Sequence, residues 1–367
     1  MEMGFPLPTN CLQQMTKPKI LAVETALPEF TKTTDEILLD FQTHLADQPE
    51  RFQKKINRIF KYAEVDRRYS IMPAEQVLSE LSFEEKNDYY AKKVIELSEE
   101  ALQKALKKAN VAADEIDFII TTSCTGFMIP SVDAYLINRL KMRQDVVRLP
   151  VTEMGCAAGV SALIYANNFL RANPGKKAAI VAVESPMSTF QWNDFSMTNM
   201  VSAAIFGDGA AAVILGTDDD ILAPTIEDTS MFHFYDETDM MGFELKNSGL
   251  KMVLDVSVPD KIEANFEKIL FPFLEKNNLT IEDVQHLIFH PGGKKIVKIT
   301  EELFGKLGKD LSETKGVLRD YGNMSSATVL YVLKRFLEKD IPEGNRGLML
   351  SFGPGFSAQS VLLKWEK

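Results

Sequence analysis

No run in this chain of 367 residues is long and apolar enough to span a bilayer. Its N-terminus lacks a charged region followed by an apolar one, so the expectation is a cytoplasmic protein with no membrane insertion. Cysteine is scarce: Cys11, Cys124 and Cys156 are too few and too scattered for a disulfide framework, and no C-x-x-C pair suggests zinc. No metal site is expected. Positive charge is also short, with 41 Lys and Arg against 52 Asp and Glu and a net charge of -11. That balance excludes nucleic acid as a bulk partner, because phosphate binding needs a basic surface. Low-complexity tracts and heptad arrays are absent too. What is present is a 45% hydrophobic, 25% charged composition, typical of a soluble globular protein, at a length that suits two domains or a duplicated one.

Duplication is visible directly. Gly155 to Leu170 (G-C-A-A-G-V-S-A-L-I-Y-A-N-N-F-L) aligns without a gap on Gly322 to Leu337 (G-N-M-S-S-A-T-V-L-Y-V-L-K-R-F-L), which sets Cys156 over Asn323. Upstream, Asn110 to Thr122 aligns on Asn278 to His290, which sets Thr122 over His290. F-G-D-G-A-A-A-V-I-L from Phe206 matches F-G-P-G-F-S-A-Q-S-V-L-L from Phe352. Three matches in one order, the first two without a gap, mean two copies of one unit. The expected halves are 1–217, carrying the cysteine, and 218–367, carrying the histidine and asparagine, with T-D-D-D at Thr217 to Asp220 as the linker. Reactive residue types at corresponding, non-identical points place a site at the join.

Hydrophobic periodicity predicts strands over Lys19–Leu27, Asp117–Thr122, Ala178–Val183, Leu287–His290 and Gly347–Ser351. Helices are predicted over Thr34 to about Lys61, Asn87–Asn110, Ile262–Lys276 and Ser325–Glu338. The segment after Cys156 is apolar nearly all round, which predicts a buried helix ending at Asn173-Pro174-Gly175. Alternating strands and helices predict mixed, largely parallel sheets with crossover helices.

Cys156 follows a glycine and opens that buried helix, where backbone N–H groups and the helix dipole favour a thiolate; it is otherwise a small buried apolar residue. A thiolate there can be acylated by a thioester. His290 ends an apolar strand before Pro291-Gly292-Gly293, as a capped strand-end histidine or as a site residue with space beside it. Asn323 is either a helix cap or a donor to an oxyanion or enolate.

In combination, E-M-G-C-A-A-G around Cys156, F-G-D-G-A-A-A from Phe206, H-P-G-G from His290, Y-G-N-M-S-S-A around Asn323 and F-G-P-G-F from Phe352 resemble the chalcone and stilbene synthase superfamily of type III polyketide synthases along almost the whole chain. The resemblance implies an α/β, thiolase-like fold: a duplicated αβαβα layered architecture with two pseudo-symmetric halves. It also implies a homodimer, and the apolar F-M-I-P-S at Phe127 to Ser131 fits one. It assigns Cys156, His290 and Asn323 as the catalytic triad, Phe206 and, less directly, Phe243 in G-F-E-L-K-N-S-G-L as gatekeepers. Lys55 and Arg58, ahead of Arg67-Arg68-Tyr69, match the family's coenzyme A phosphate cluster. The third basic position falls on Tyr62, with Lys61 beside it.

T-S-C-T-G-F at Thr122 to Phe127 is similar to the bacterial branch, in which a second cysteine lines the cavity; that would be Cys124, which is otherwise a buried thiol beside the site. Motif position adds Glu184, Thr189 and Ser325 as cavity candidates, while Met187, Met197, Met200, Met240 and Met241 read as adaptable core.

The activity implied is iterative decarboxylative condensation of malonyl-CoA onto an acyl-CoA starter held on Cys156, closing to a small phenol, resorcinol or pyrone, with coenzyme A thioesters as substrates and no cofactor. Alternatives are a β-ketoacyl carrier-protein synthase of the third kind, less favoured by Phe206 in its motif and by Lys55/Arg58, and a non-catalytic acyl-CoA-binding subunit. A degradative thiolase should carry another cysteine in the last glycine-rich turn, and Ser351 to Gln359 has none. A Cys-His-Asn protease would not place its residues on a two-fold repeat.

Overall fold

A computed structural model of the protein describes residues 17–217 and 221–367. Cys11 and the Asp218 to Asp220 part of the expected linker lie outside the described residues.

The strands are β1 (Lys19–Ala26), β2 (Phe30–Thr33), β3 (Arg67–Ser70), β4 (Phe118–Thr122), β5 (Val147–Val151), β6 (Ala178–Glu184) and β7 (Gly209–Gly216), then β8 (Ala223–His233), β9 (Met241–Lys246), β10 (Gly249–Leu254), β11 (His286–Phe289), β12 (Arg346–Gly353) and β13 (Ser357–Glu366). Nine of them form one sheet in the order β11-β12-β13-β8-β1-β7-β6-β4-β5. Apart from the edge strand β5, that order reads the same from both ends under the sequence repeat, pairing β4 with β11, β6 with β12 and β7 with β13. The two halves meet at β1 and β8, where Lys19 stands opposite Thr225.

The sheet is mixed, as expected, but it is not largely parallel. Only β11–β12, β4–β6 and β4–β5 are parallel; the other five neighbouring pairs run antiparallel. The return strands run against the strands before them: β12 turns into β13 across Pro354 to Phe356, and β7 comes back alongside β6 after the helix Met197–Ile205.

Strand periodicity builds the layers. On β4, Phe118 and Ile120 face one core and Ile119 the other; on β6, Ala178, Ile180 and Ala182 face inward while Ala179, Val181 and Val183 face outward. The inner core takes in the helices Ala158–Ala172 and Thr328–Leu337, through Val160, Leu163, Val329 and Leu333 among others. The outer faces are covered by the long helix Phe83–Ala109 on one side and Val258–Lys276 on the other. The result is five alternating layers around a buried helix pair. Truncating a large aliphatic side chain in such a core costs about 2–5 kcal/mol, so the frame is stiff.

Local signals place the boundaries. Ser82 and Glu85 form a capping box that starts the long helix at Phe83, and Asn110 closes it in the left-handed conformation. Its repeat partner Asn278 is left-handed as well (φ 55° against 53°). The region Thr34 to Lys61 is two helices, Thr34–His44 and Glu50–Tyr62, separated at Pro49. The hairpin β9–β10 went unpredicted, although M-G-F-E-L-K, Asn247-Ser248 and G-L-K-M-V-L have the alternation and short polar turn of one.

Candidate active site

Backbone contacts between the halves bring the repeat-related residues together. Asn323 N–H donates to the Ile205 carbonyl (2.7 Å) and Gly207 N–H to the Asn323 carbonyl (3.1 Å), which ties Phe206 to Asn323. Ser351 Oγ donates to the Cys156 carbonyl (2.8 Å), and His290 N–H to the Leu350 carbonyl (2.9 Å). Glycine makes these approaches possible: a Cβ on Gly353 would lie 2.6 Å from the Met154 carbonyl oxygen, and one on Gly159 2.3 Å from that of Ser326.

One cavity of about 60 Å³ receives Cys156, His290, Asn323, Phe206, Phe243, Cys124 and Ser325 on its wall. Its remaining lining is mainly apolar and includes Met241, Met252, Leu254, Ile296 and Pro354. Met241 therefore reaches the cavity wall while packing on the core beside it, whereas Met187 and Met200 are core residues as expected. The hairpin β9–β10 supplies Met241, Phe243, Met252 and Leu254, of which the sequence motifs point to Phe243 alone.

Glu184 and Thr189 are not on that wall. The Glu184 carboxylate is fully buried behind Cys124, accepting from Cys124 N–H (3.0 Å), Thr125 Oγ1 (2.8 Å) and Ser326 Oγ (2.6 Å). Thr189 turns its hydroxyl onto the Pro186 carbonyl (2.7 Å) inside a short 3-10 turn. Thr122, the repeat partner of His290, donates to Ser326 Oγ (3.0 Å) and so belongs to the Glu184 network.

Cys156 sits in a 3-10 turn, Gly155–Ala157, that leads into the helix Ala158–Ala172, with Gly155 at φ 49°. The expected lowering of its thiol pKa does not occur. Burial pushes the thiol up to about 11, and the Glu184 charge adds to this; hydrogen bonds from Ser325, Asn323 and the backbone oppose it without prevailing. Burial likewise pushes His290 down to about 3, so its imidazole is neutral. Cys124 is raised well above its ordinary value by burial and by Glu184. The site thus holds neutral thiols and a neutral imidazole. A helix start seen in sequence gives the direction of a dipole but not the desolvation that outweighs it.

The donors are aimed. Asn323 Oδ1 accepts from Ser325 N–H (2.8 Å) and Thr328 Oγ1 (3.3 Å), which fixes the amide with Nδ2 turned the other way, toward the Gly292 carbonyl (3.2 Å). His290 Nδ1 and Nε2 are buried and have no hydrogen-bond partner among the described residues. Ser325, left-handed at φ 48°, sets its Oγ 3.5 Å from Cys124 Sγ and 3.6 Å from Cys156 Sγ. Asp208, in the F-G-D-G turn, is a positioning residue missed in the sequence. Its buried carboxylate accepts from Ile71 N–H (2.8 Å), Met187 N–H (2.9 Å) and Ser185 Oγ (3.1 Å), holding the turn that carries Phe206.

A second cavity of about 560 Å³ adjoins the first at Leu254, Gly292 and Ile296. Lys55 and Arg58 line it, as does Tyr62. Lys61 does not; it faces a different cleft with Glu64, Asp66 and Arg319. Among the described residues no cluster of three metal-ligating side chains occurs, and no helix is long and apolar enough to cross a membrane.

Comparison with known proteins agrees with this geometry. Residues 8–219 match the family described as chalcone and stilbene synthases, N-terminal domain, and residues 228–365 match its C-terminal domain. The chain is 34% identical to a 1,3,6,8-tetrahydroxynaphthalene synthase of Streptomyces peucetius, over 94% of this chain and 93% of that protein. It is 30% identical to a phloroglucinol synthase of Pseudomonas fluorescens, over 91% and 95%. The crystal structure of the tetrahydroxynaphthalene synthase of Streptomyces coelicolor, a bacterial type III polyketide synthase, superposes with a TM-score of 0.89 at 29% identity, covering 95% of this chain and 99% of that one.

Proposed function

The chain belongs to the chalcone and stilbene synthase family of type III polyketide synthases, acyltransferase enzymes, and from that premise we propose that it condenses malonyl-CoA repeatedly onto an acyl-CoA starter held on Cys156 and closes the product to a small phenol, resorcinol or pyrone. The observation that carries this reading is the convergence of Cys156, His290 and Asn323 on one apolar cavity beside a larger one lined by Lys55 and Arg58.

In this reading the proton of the Cys156 thiol passes to His290 as sulfur attacks the starter carbonyl, and His290 returns it to the leaving coenzyme A sulfur. Moving one proton inside the cavity leaves its net charge unchanged, so burial opposes this step less than it opposes either ion alone. Malonyl-CoA then loses carbon dioxide, and the enolate oxygen receives hydrogen bonds from His290 and Asn323 Nδ2. A neutral imidazole suits that task because it keeps an N–H to donate without stabilising a competing ion. The enolate carbon attacks the acyl-cysteine, the carbon–sulfur bond breaks, and the extended chain is returned to Cys156 for another cycle. The direct test is incubation of the purified protein with labelled malonyl-CoA and a panel of acyl-CoA starters, with products read by mass spectrometry. Absence of any condensation product across the panel defeats the reading.

Lys55 and Arg58 bind phosphates remote from the reacting carbon. Replacing both with alanine should raise KM for malonyl-CoA about tenfold with little change in kcat, because such binding is equal in ground and transition states. The difference from wild type should narrow as salt rises. An unchanged KM at low ionic strength would leave these two residues as a solvated helix face.

The protein acts as a homodimer in this reading. Phe127 is 50% exposed and Ile129 fully exposed on the loop that leaves Cys124. Light scattering at micromolar concentration should give twice the chain mass, and charged substitutions at Phe127 and Ile129 should shift it to the monomer. A fully active wild-type monomer contradicts the assignment.

A further inference from the structure

The larger cavity has a second basic wall that the matched family cluster does not account for. Lys294 and Lys295 line it from the C-terminal half, facing Lys55 and Arg58 from the helix Glu50–Tyr62. Against these four cations the cavity wall carries one carboxylate, Asp255, in a chain whose net charge is -11. The two lysines open the helix Lys294–Gly305, whose first turn holds no acidic residue and whose N-cap Gly293 offers no side-chain oxygen. Cations at a helix N-terminus oppose the helix dipole, so this pair is unfavourable for the helix alone and favourable beside an anion.

The positions of the side chains explain how a three-cation cluster survives with a tyrosine in it. Lys294 Nζ lies 4.0 Å from the centroid of the Tyr62 ring, so the aromatic residue at the third cluster position presents a cation brought from the other half of the chain. Lys294, with 23% of its side chain exposed, also meets Glu64 at 2.5 Å, with 58% of the Glu64 side chain exposed, and the exposed Lys295 meets the exposed Asp260 at 3.3 Å. Exposed pairs of this kind contribute little and exchange readily for a more highly charged partner. Lys55 and Arg58 form no salt bridge among the described residues, which leaves the opposite wall equally available.

We propose that Lys294 and Lys295, with Tyr62 as the platform for Lys294, form the second jaw of a phosphate clamp that selects nucleotide-bearing thioesters, the phosphates of coenzyme A being held between the two halves of the chain. The inference rests on the reading that this cavity admits coenzyme A thioesters, and it adds the residues that make the carrier's phosphates matter.

Calorimetric titration of coenzyme A into the full-length wild type, Lys294→Met, Lys295→Met and the double variant tests this. The double variant should bind about tenfold or more weakly at low salt, and the gap should close as salt rises. Lys294→Arg should keep wild-type affinity. Turnover of malonyl-pantetheine, which lacks the nucleotide phosphates, should have the same kcat/KM in wild type and double variant to within about twofold. An unchanged dissociation constant in the double variant overturns the clamp while leaving the polyketide synthase reading intact. Parallel loss of malonyl-pantetheine turnover also overturns it, because the lysines would then be shaping the cavity. A wild type that binds no coenzyme A at all removes both the clamp and the reading beneath it.

Discussion

Cys156→Ala should abolish condensation while leaving a slow release of carbon dioxide from malonyl-CoA. Loss of an attacking nucleophile costs as much as about 10⁶-fold in rate where a catalytic unit acts together. Decarboxylation asks only for donors to the enolate oxygen, and Asn323 keeps its amide aimed through Ser325 and Thr328 whether or not sulfur is present. Alanine is smaller than cysteine and replaces a side chain in a short 3-10 turn, so the fold and the thermal transition should be unchanged. Retained condensation would move the nucleophile to Cys124, which shares the cavity but faces the buried carboxyl group of Glu184. Product formation and carbon dioxide release, followed in the same reaction, separate the two outcomes.

His290→Ala should remove both activities. The imidazole accepts the thiol proton in acyl loading, a contribution of about 10²–10⁴-fold, and donates to the enolate in decarboxylation, where a single donor is worth about 10²–10³-fold. The pH profile carries a further signature. Burial holds the folded-state pKa of His290 far below its ordinary value of 6.5, to about 3, so the imidazole stays neutral throughout the usual working range. Wild-type decarboxylation should therefore show no acid limb near pH 6.5. A limb there that disappears in a variant of His290 would mean that solvent reaches the imidazole in the working enzyme. The same shift has a stability consequence. A histidine whose pKa is depressed on folding favours the unfolded chain once that chain protonates, so His290 costs stability as pH falls below about 6.5 and continues to do so down to about 3.

The two halves of the site respond differently to sequence reading. Cys156 over Asn323 and Thr122 over His290 follow from ungapped alignment of the chain on itself, because a duplicated unit repeats its core pattern at every position. Asn110 and Asn278 show how literal that repetition is, each closing a helix in the left-handed conformation. Phe206 beside Asn323, and Lys55 and Arg58 beside the larger cavity, follow from motifs whose spacing is local.

What the sequence by itself determined was the duplication and the residue types at the join, since local patterns and spacing encode both; the reaction class followed from the family those motifs resemble. Only the tertiary structure decided the ionisation of those residues, because the desolvation that raises Cys156 and lowers His290 comes from every element packed around them. It also decided which distant segments close the cavities: the hairpin β9–β10 over Cys156, and Lys294 reaching across to Tyr62 from more than half the chain away. Glu184 and Thr189 stand in the expected motifs yet turn their polar atoms inward to neighbours that no spacing rule reveals. The orientation of a buried side chain is set by the donors and acceptors that surround it in space, and those are assembled only when the two halves fold against each other.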